Sequence, residues 1–508
     1  MSTAHAAATG GEQFASSIST VAGTGVAGRE GDDKPAFSAQ LNRPYAVAMD
    51  SAGTLYIVDH NNHRVRKVTT DGQIRAVAGT GVAGPEGDSG PAALAQLNGP
   101  RSVAADSTGV LYIADSGNHR VRKVTADGKI STIVGTGTAG RTPDGERATD
   151  AQLNVPAGVA VDSIGTLYVS DLNNHQIRKV TTDGRISTLA GTGVAGPGGD
   201  DGLAVSAQLN SPYGLAVDGA GDVYVADSGN HRVRKVTADG KISTVVGTGI
   251  AGHAPDGSPA TSAQLHLPVG VAVDSAGNLY IADHHNHQVR KVTTEGKIST
   301  VAGTGAATFG GDDSPADSAQ LNFPHGLAVD CVDALYIADS ANHRVRKVAS
   351  AKMTGLPDSG TVVSWANVRS RLRMAVTRES TKDGAEVHQT LTVPRDHQRW
   401  RLIVAGHDNG DVLYRIENVR SGKVLEIVGA QKREGAVIAQ RAYEGGDAYH
   451  QQWRLIAVGS VTDIPRVYEI ANRNSGLLLR ADTNARTVIK QYGAEGDRRE
   501  WQWQLLPV

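Results

Sequence analysis

Sulfur, aromatic rings and long apolar runs are all scarce in this chain. Of 508 residues only Cys331 is a cysteine, which excludes any intrachain disulfide. Aromatic residues make up 4% of the chain, so no half of it can be filled by large rings alone. No apolar run approaches the roughly 20 residues of a membrane-spanning helix. The opening MSTAHAAATGGEQF has neither a basic start nor an apolar core, so no signal peptide is visible. A cytoplasmic location is expected on that reading, with a secreted mature form left open. Gly-x-Ser-x-Gly, a phosphate-binding Walker loop and His-Glu-x-x-His are missing as well.

What the chain has in abundance is repetition. Ala-Gln-Leu recurs with its glutamine at Gln40, Gln96, Gln152, Gln208, Gln264 and Gln320, at a constant step of 56 residues. A period of that size marks a solenoid or a radial array. One unit, read at residues 102–135, holds four short runs that alternate apolar with polar: SVAAD, VLYIAD, HRVRKV and ISTIVG. These are strand patterns, separated by Gly, Asp and Asn clusters suited to tight turns. Each unit is thus a four-stranded antiparallel blade, and six blades about an axis bury one another's faces. The chain starts with an extra strand (Ser17 to Gly23), and its last unit stops after HRVRKV (His343 to Val348), so the N-terminal strand is expected to complete blade six.

The segment GLAVDGAGDVYVADSGNHRVRKV (Gly214 to Val236) and its five sisters resemble NHL repeats, over roughly residues 17 to 348. The motif Asp-x-x-Asn-His-(Arg/Gln)-(Val/Ile)-Arg-Lys occurs in all six. The resemblance implies a six-bladed propeller, and it implies no single function, because the fold hosts RNA-binding, protein-binding and lyase proteins.

Composition then changes. All five tryptophans (Trp365, Trp400, Trp453, Trp501, Trp503) follow residue 360, whereas all four phenylalanines precede residue 324. The expected division is a propeller over 1–349, a linker over 350–360 and a second domain over 361–508. Within the latter, Gln389, Gln440 and Gln491 stand at 51-residue steps, each followed by a closing strand: QRWRL, QQWRL and WQWQL. These strands resemble the Gln-x-Trp signature of ricin-type β-trefoil lectins. The resulting fold class is all-β, a six-bladed β-propeller followed by a C-terminal β-trefoil.

In sugar-binding lobes of that family an acid on the second strand accepts bonds from sugar hydroxyls, an aromatic ring stacks on the pyranose, and an Asn or Gln completes the grip. The acidic place is held here by Ala375, Glu426 and Arg480, so the resemblance directs carbohydrate binding to the middle lobe. Glu426 would act there with Gln440, Tyr443 and His450. The alternative use of the trefoil is packing or contact with a protein partner.

Residues common to all blades, such as Asp59, His63, Arg66 and Lys67 with their counterparts, read as groups that hold blades together. Function is expected where near-identical units differ. One such place follows the proline that opens the innermost strand: Tyr45, Arg101, Ala157, Tyr213, Val269 and His325. The other is the turn before Asn-His: His60 and Asn61, Leu172 and Asn173, His284 and His285, against Ser-Gly or Ser-Ala elsewhere. Both belong to one face, so Tyr45, His60, Arg101, Tyr213, His284, His285 and His325 are the candidates for a small anionic or aromatic ligand at the channel mouth.

Acidic Gly-rich runs on the same face (Glu30 to Asp33, Glu86 to Asp88, Pro143 to Glu146, Gly198 to Asp201, Pro255 to Ser258, Gly310 to Asp313) lack the spaced ladder of a Ca²⁺ loop and read as Asx-type turns. Net charge is −7 over residues 1–350 and +5 over 351–508. An acidic propeller is a poor partner for phosphate backbones, which argues against nucleic acid.

The favoured function is non-enzymatic recognition, with the trefoil engaging carbohydrate or a partner and the propeller presenting a second binding face. The alternative is a propeller enzyme, a metal-dependent lyase or hydrolase, working at the mouth through His60, His284, His285 or His325 with Arg101. No motif requires a cofactor; Ca²⁺ or Zn²⁺ at the channel would favour the enzyme.

Overall fold

The computed structural model describes residues 16–50, 53–69, 72–106, 108–274, 276–330 and 334–349 of the N-terminal part. In the C-terminal part it describes 362–367, 373–376, 380–390, 398–408, 411–434, 436–444, 448–458, 467–475, 477–480, 489–492 and 502–507. Cys331, the 350–360 linker and Trp501 lie outside the described residues, as do the side chains of Gln389, Arg480 and Gln491. The chain divides into two compact units, Met1–Ser350 and Ala351–Val508.

The first unit is a six-bladed β-propeller. Each blade is an antiparallel sheet; blade three, for example, runs Pro156–Val161, Leu167–Asp171, Gln176–Val180, Ile186–Ala190 in sequence order. Blade six draws its outer strand from the other end of the repeat. Ser17–Ala22 pairs antiparallel with Arg344–Val348, with Ile18 opposite Val348 and Thr20 opposite Arg346. This pairing closes the ring and leaves neither partner as an open edge.

Stacking blades bury both faces of the second strand, so Leu55–Asp59 and its counterparts in blades two, three, five and six are buried at every position. The alternation on the third strand therefore does not separate core from solvent. Arg66, Arg122, Arg178, Arg234, Arg290 and Arg346 occupy polar positions of that pattern and are all 0% exposed. A buried guanidinium needs compensation. It comes from Asp32, Asp88, Asp144, Asp200, Asp256 and Asp312, each within 3.1 Å of its arginine. The acidic runs read as turns are thus clamps as well: each ties its loop to the third strand.

The repeated histidines join neighbouring blades. His63, His119, His175, His231, His287 and His343 sit in the left-handed region with φ of 51 to 53°, and each Nδ1 accepts the backbone N–H that opens the next blade. Those distances are 3.0 to 3.2 Å, and the last closes the circle, from His343 to Arg43.

The second unit is a β-trefoil. Val362–Asn367, Trp400–Asp408, Asp411–Asn418, Trp453–Val458, Val467–Asn472 and Gln502–Pro507 pair in a closed circuit, a six-stranded barrel. Three hairpins cap it: Arg373–Val376 with Ala385–Thr390, Val424–Ile427 with Ile438–Arg441, and Leu478–Arg480 with Lys490–Tyr492. The threefold Gln-x-Trp pattern has a packing reason. Trp400, Trp453 and Trp503 are 0% exposed in one core, and their indole N–H groups donate to Met374, Leu425 and Leu479 carbonyls at 3.2, 2.9 and 3.1 Å. Each tryptophan both fills the barrel and ties down the hairpin of its lobe.

Candidate functional site

The innermost strands converge on a cavity of about 60 Å³, room for roughly four to six waters at about 10–15 Å³ each. All six residues that follow the opening proline line it: Tyr45, Arg101, Ala157, Tyr213, Val269 and His325. Its narrowness is set by backbone. A Cβ on Gly158 would meet Tyr213 O at 2.1 Å, and one on Gly270 would meet His325 O at 2.0 Å. Neighbouring inner strands therefore approach too closely there for any side chain.

Rings brace one sector of the mouth. Tyr45 lies between His60 (centroids 3.9 Å, planes 5° apart) and His325 (4.2 Å, 12°). His325 in turn meets Tyr213 and His284 edge-on at 4.9 and 5.4 Å. His60 and His284 stand behind the cavity wall, where Nδ1–H donates to the next blade's proline carbonyl: Pro100 at 2.8 Å and Pro324 at 3.0 Å. Ser116 and Ser228 make the same bond in blades two and four, so these histidines are enlarged versions of a blade-to-blade tie. Burial holds both imidazoles down to about 4. His325 is pushed well below 6.5, first by burial and then by the charge it would share with His284. At neutral pH the three rings are uncharged.

Arg101 is then the cation that lines this cavity. Its guanidinium carbon stands 5.8 Å from the Tyr213 ring, and no carboxylate pairs with it among the described residues. Burial, in turn, keeps the Tyr213 phenol protonated by raising it far above 10. A forked donor, a neutral phenol and a flat stack of rings suit a small planar or anionic group.

His285 meets this arrangement only at its outer edge, 5.3 Å from the His284 ring. It is exposed on the rim, with its ring 4.9 Å from His266 and 5.4 Å from Phe323. His266 and Phe323 were not among the sequence candidates. His266 carries a legible signal nonetheless, since it stands where the other five repeats have Asn after Ala-Gln-Leu.

In the trefoil, Glu426 is 1% exposed. Arg441 Nε donates to its Oε1 at 2.7 Å, and Gln451 Nε2 donates to Oε2 at 3.3 Å. His450 Nε2 lies 3.6 Å from Glu426 and 3.7 Å from Glu444, whose side chain is 51% exposed. Gln440 does not come to this group. On the strand pair it faces away from Glu426, and its amide serves Ser421, Ser380 and Lys382. The Tyr443 ring is covered by Arg415 at 4.7 Å, where a pyranose would stack. Glu426, Glu444 and His450 place ligand atoms within 4.8 Å of one another, but the Arg441 guanidinium already takes the deepest carboxylate.

The NHL repeat signature matches residues 41–68, 97–124, 209–236, 265–292 and 321–348, and a teneurin NHL domain signature matches 136–196. A ricin-type β-trefoil lectin domain-like signature matches 352–441 and 396–492. The chain is an NHL-repeat propeller followed by a ricin-type lectin-like trefoil. This NHL-repeat chain is 29% identical to Teneurin-m of Drosophila melanogaster over 361 residues, covering 63% of itself and 12% of that protein. It is 30% identical to NHL repeat-containing protein 2 of Bos taurus over 336 residues, covering 60% of itself and 46% of that protein. The NHL-repeat chain thus spans less than half of either relative. A solved structural-genomics protein of Bacteroides thetaiotaomicron is similar with a TM-score of 0.50 and 22% identity, over 66% of this chain and 76% of that one, a likeness of fold. Relatives and lectin-like domain together support a binding protein. Among the described residues no helix is long and apolar enough to cross a membrane.

Proposed function

We propose that this is a non-enzymatic recognition protein whose propeller binds a small anionic, planar ligand on its axis at the mouth, while the trefoil engages carbohydrate or a protein partner. One observation carries the propeller half: Arg101 enters the axial cavity without a carboxylate partner among the described residues, flanked by Tyr213 and the Tyr45 stack. A guanidinium so placed is incompletely compensated, and a ligand carboxylate or phosphate would supply the missing charge through two parallel bonds. The lining side chains include no acid, which also disfavours a cationic ligand.

Calorimetry of the full chain against benzoate and inorganic phosphate tests this reading. Binding that weakens at least tenfold in Arg101→Ala and partly recovers in Arg101→Lys supports it. A ligand indifferent to Arg101, or one seated at the opposite face, would refute it.

For the trefoil the middle lobe remains the proposed sugar site, in an altered form. Glu426 is too deep to meet a sugar directly, so it acts by holding Arg441, which is 42% exposed beside His450 and Glu444. Those three outward groups would contact the hydroxyls.

A further inference from the structure

Among the described residues, the rings of the mouth reach the rim in one sector, that of blades five and six. His325, which lines the cavity, meets His284 edge-on at 5.4 Å, and His284 in turn meets Phe323 at 4.9 Å and His285 at 5.3 Å. Phe323 and His285 meet each other at 5.4 Å, so these three rings form a closed triangle. The triangle opens to solvent at His285, which is exposed, and at the half-buried Phe323. His287 holds it in place: its Nδ1 accepts the Phe323 N–H at 3.1 Å, and its ring stands 4.6 Å from the Phe323 ring. No other blade repeats this ledge. The place of Phe323 holds Arg43, Gly99, Val155, Ser211 and Leu267 elsewhere, and that of His285 holds Asn61, Gly117, Asn173, Gly229 and Ala341.

We propose that this ledge receives the second ring of an aryl anion whose charged group sits on Arg101. The inference rests on the Arg101 reading and adds the part of the ligand that the cavity cannot hold. A space of about 60 Å³ admits a head group of a few heavy atoms, so any larger body must lie at the mouth. The rings set the direction it takes. Arg101 stands 5.8 Å from the Tyr213 ring, Tyr213 meets His325 at 4.9 Å, and His325 leads to His284, so the head-group site and the ledge share His325 as their border. Burial holds His284 down to about 4 and His285 below 6.5, which leaves both rings uncharged at pH 7 and able to stack. At the place of Phe323, blades one to four offer an arginine, a glycine, a valine and a serine, none of them a ring face.

Calorimetry of the full chain tests the ledge with three acids that share one head group: benzoate, biphenyl-4-carboxylate with a second aromatic ring, and 4-cyclohexylbenzoate with a saturated one. Phe323→Leu and His285→Asn introduce the residue types that blades five and one already carry at these places, and circular dichroism checks that the fold is kept. Biphenyl-4-carboxylate should bind roughly tenfold more tightly than benzoate and roughly threefold more tightly than the cyclohexyl acid. In the double variant its affinity should fall to that of benzoate, while benzoate itself is little changed. A second ring that gains nothing, a gain that survives the double variant, or a saturated ring that binds as well as the aromatic one would overturn the ledge and leave Arg101 standing. Arg101→Ala separates the two readings: acids indifferent to it, or no binding of any of the three by the unaltered chain, would remove the head-group site and the ledge with it.

Discussion

At the residue scale, identical side chains have unequal duties because their surroundings differ. His175 accepts the Ser211 N–H at 3.1 Å, so His175→Ala leaves a part-buried donor without its partner. A loss of about 1–3 kcal/mol is expected, read as a lower urea midpoint, with ligand affinity at the mouth unchanged. His60 makes a pH prediction. Its folded value of about 4 lies below the ordinary 6.5, so the unfolded chain binds more protons between those limits and the folded state loses stability as pH falls through them. Buried Asp59 and its counterparts are raised to about 6 and act in the opposite sense. They are common to wild type and a His60→Phe variant, and cancel in the difference. Wild type should therefore lose up to roughly 3 kcal/mol relative to His60→Phe between pH 6.5 and 4. Parallel urea midpoints across that window would contradict the assignment.

At the element scale, the strand Ser17–Ala22 has a structural role out of proportion to its six residues. It supplies the fourth strand of blade six, and Thr20 Oγ1 also donates to Asp312 at 2.7 Å, on the loop clamped by Arg346. Removing residues 1–24 deletes several backbone bonds of about 0.5–1.5 kcal/mol each and exposes Arg344–Val348 as an edge. The truncated protein should melt lower and self-associate in sedimentation; an unchanged, monomeric product would mean the ring closes otherwise. The loop clamp invites a similar test. Asp144→Ala removes a carboxylate that is itself 52% exposed from beside the fully buried Arg178, which keeps its bond to the Thr142 carbonyl, so a loss of about 1–3 kcal/mol is expected, read as a lower urea midpoint.

At the scale of the molecule, the two units have separate cores. Trp365, Trp400, Trp453 and Trp503 fill the trefoil core, and no tryptophan occurs in residues 1–350. Tryptophan fluorescence is therefore a probe of the trefoil alone. Trp453→Ala should lower the fluorescence transition, with about 3–5 kcal/mol lost from the trefoil, while the calorimetric transition of the propeller stays in place. A common shift of both would mean that the units unfold as one. The sugar reading belongs to this scale too. A glycan array on the full chain, compared with Glu426→Ala, should show binding that disappears with the carboxylate that holds Arg441; unaffected binding would point to another lobe.

The sequence by itself determined the blade count, the closing strand and the trefoil signature, because a period of 56 residues and a period-two strand pattern are local properties that survive without coordinates. It also singled out Arg101, Tyr45, Tyr213 and His325, since asymmetry within a repeat is visible by superposing the copies. Only the tertiary structure decided which of these residues meet. Whether Arg101 has an acid beside it, whether Glu426 faces solvent or Arg441, and whether Gln440 lies on the same side of its strand depend on distances between residues far apart in the chain. The same holds for the six buried arginines. Their recurrence in every blade marks them as groups that hold blades together, but does not say what they bond to: blades stack on both sides of that strand, and the loop aspartates 34 residues earlier had to be brought to them by the fold.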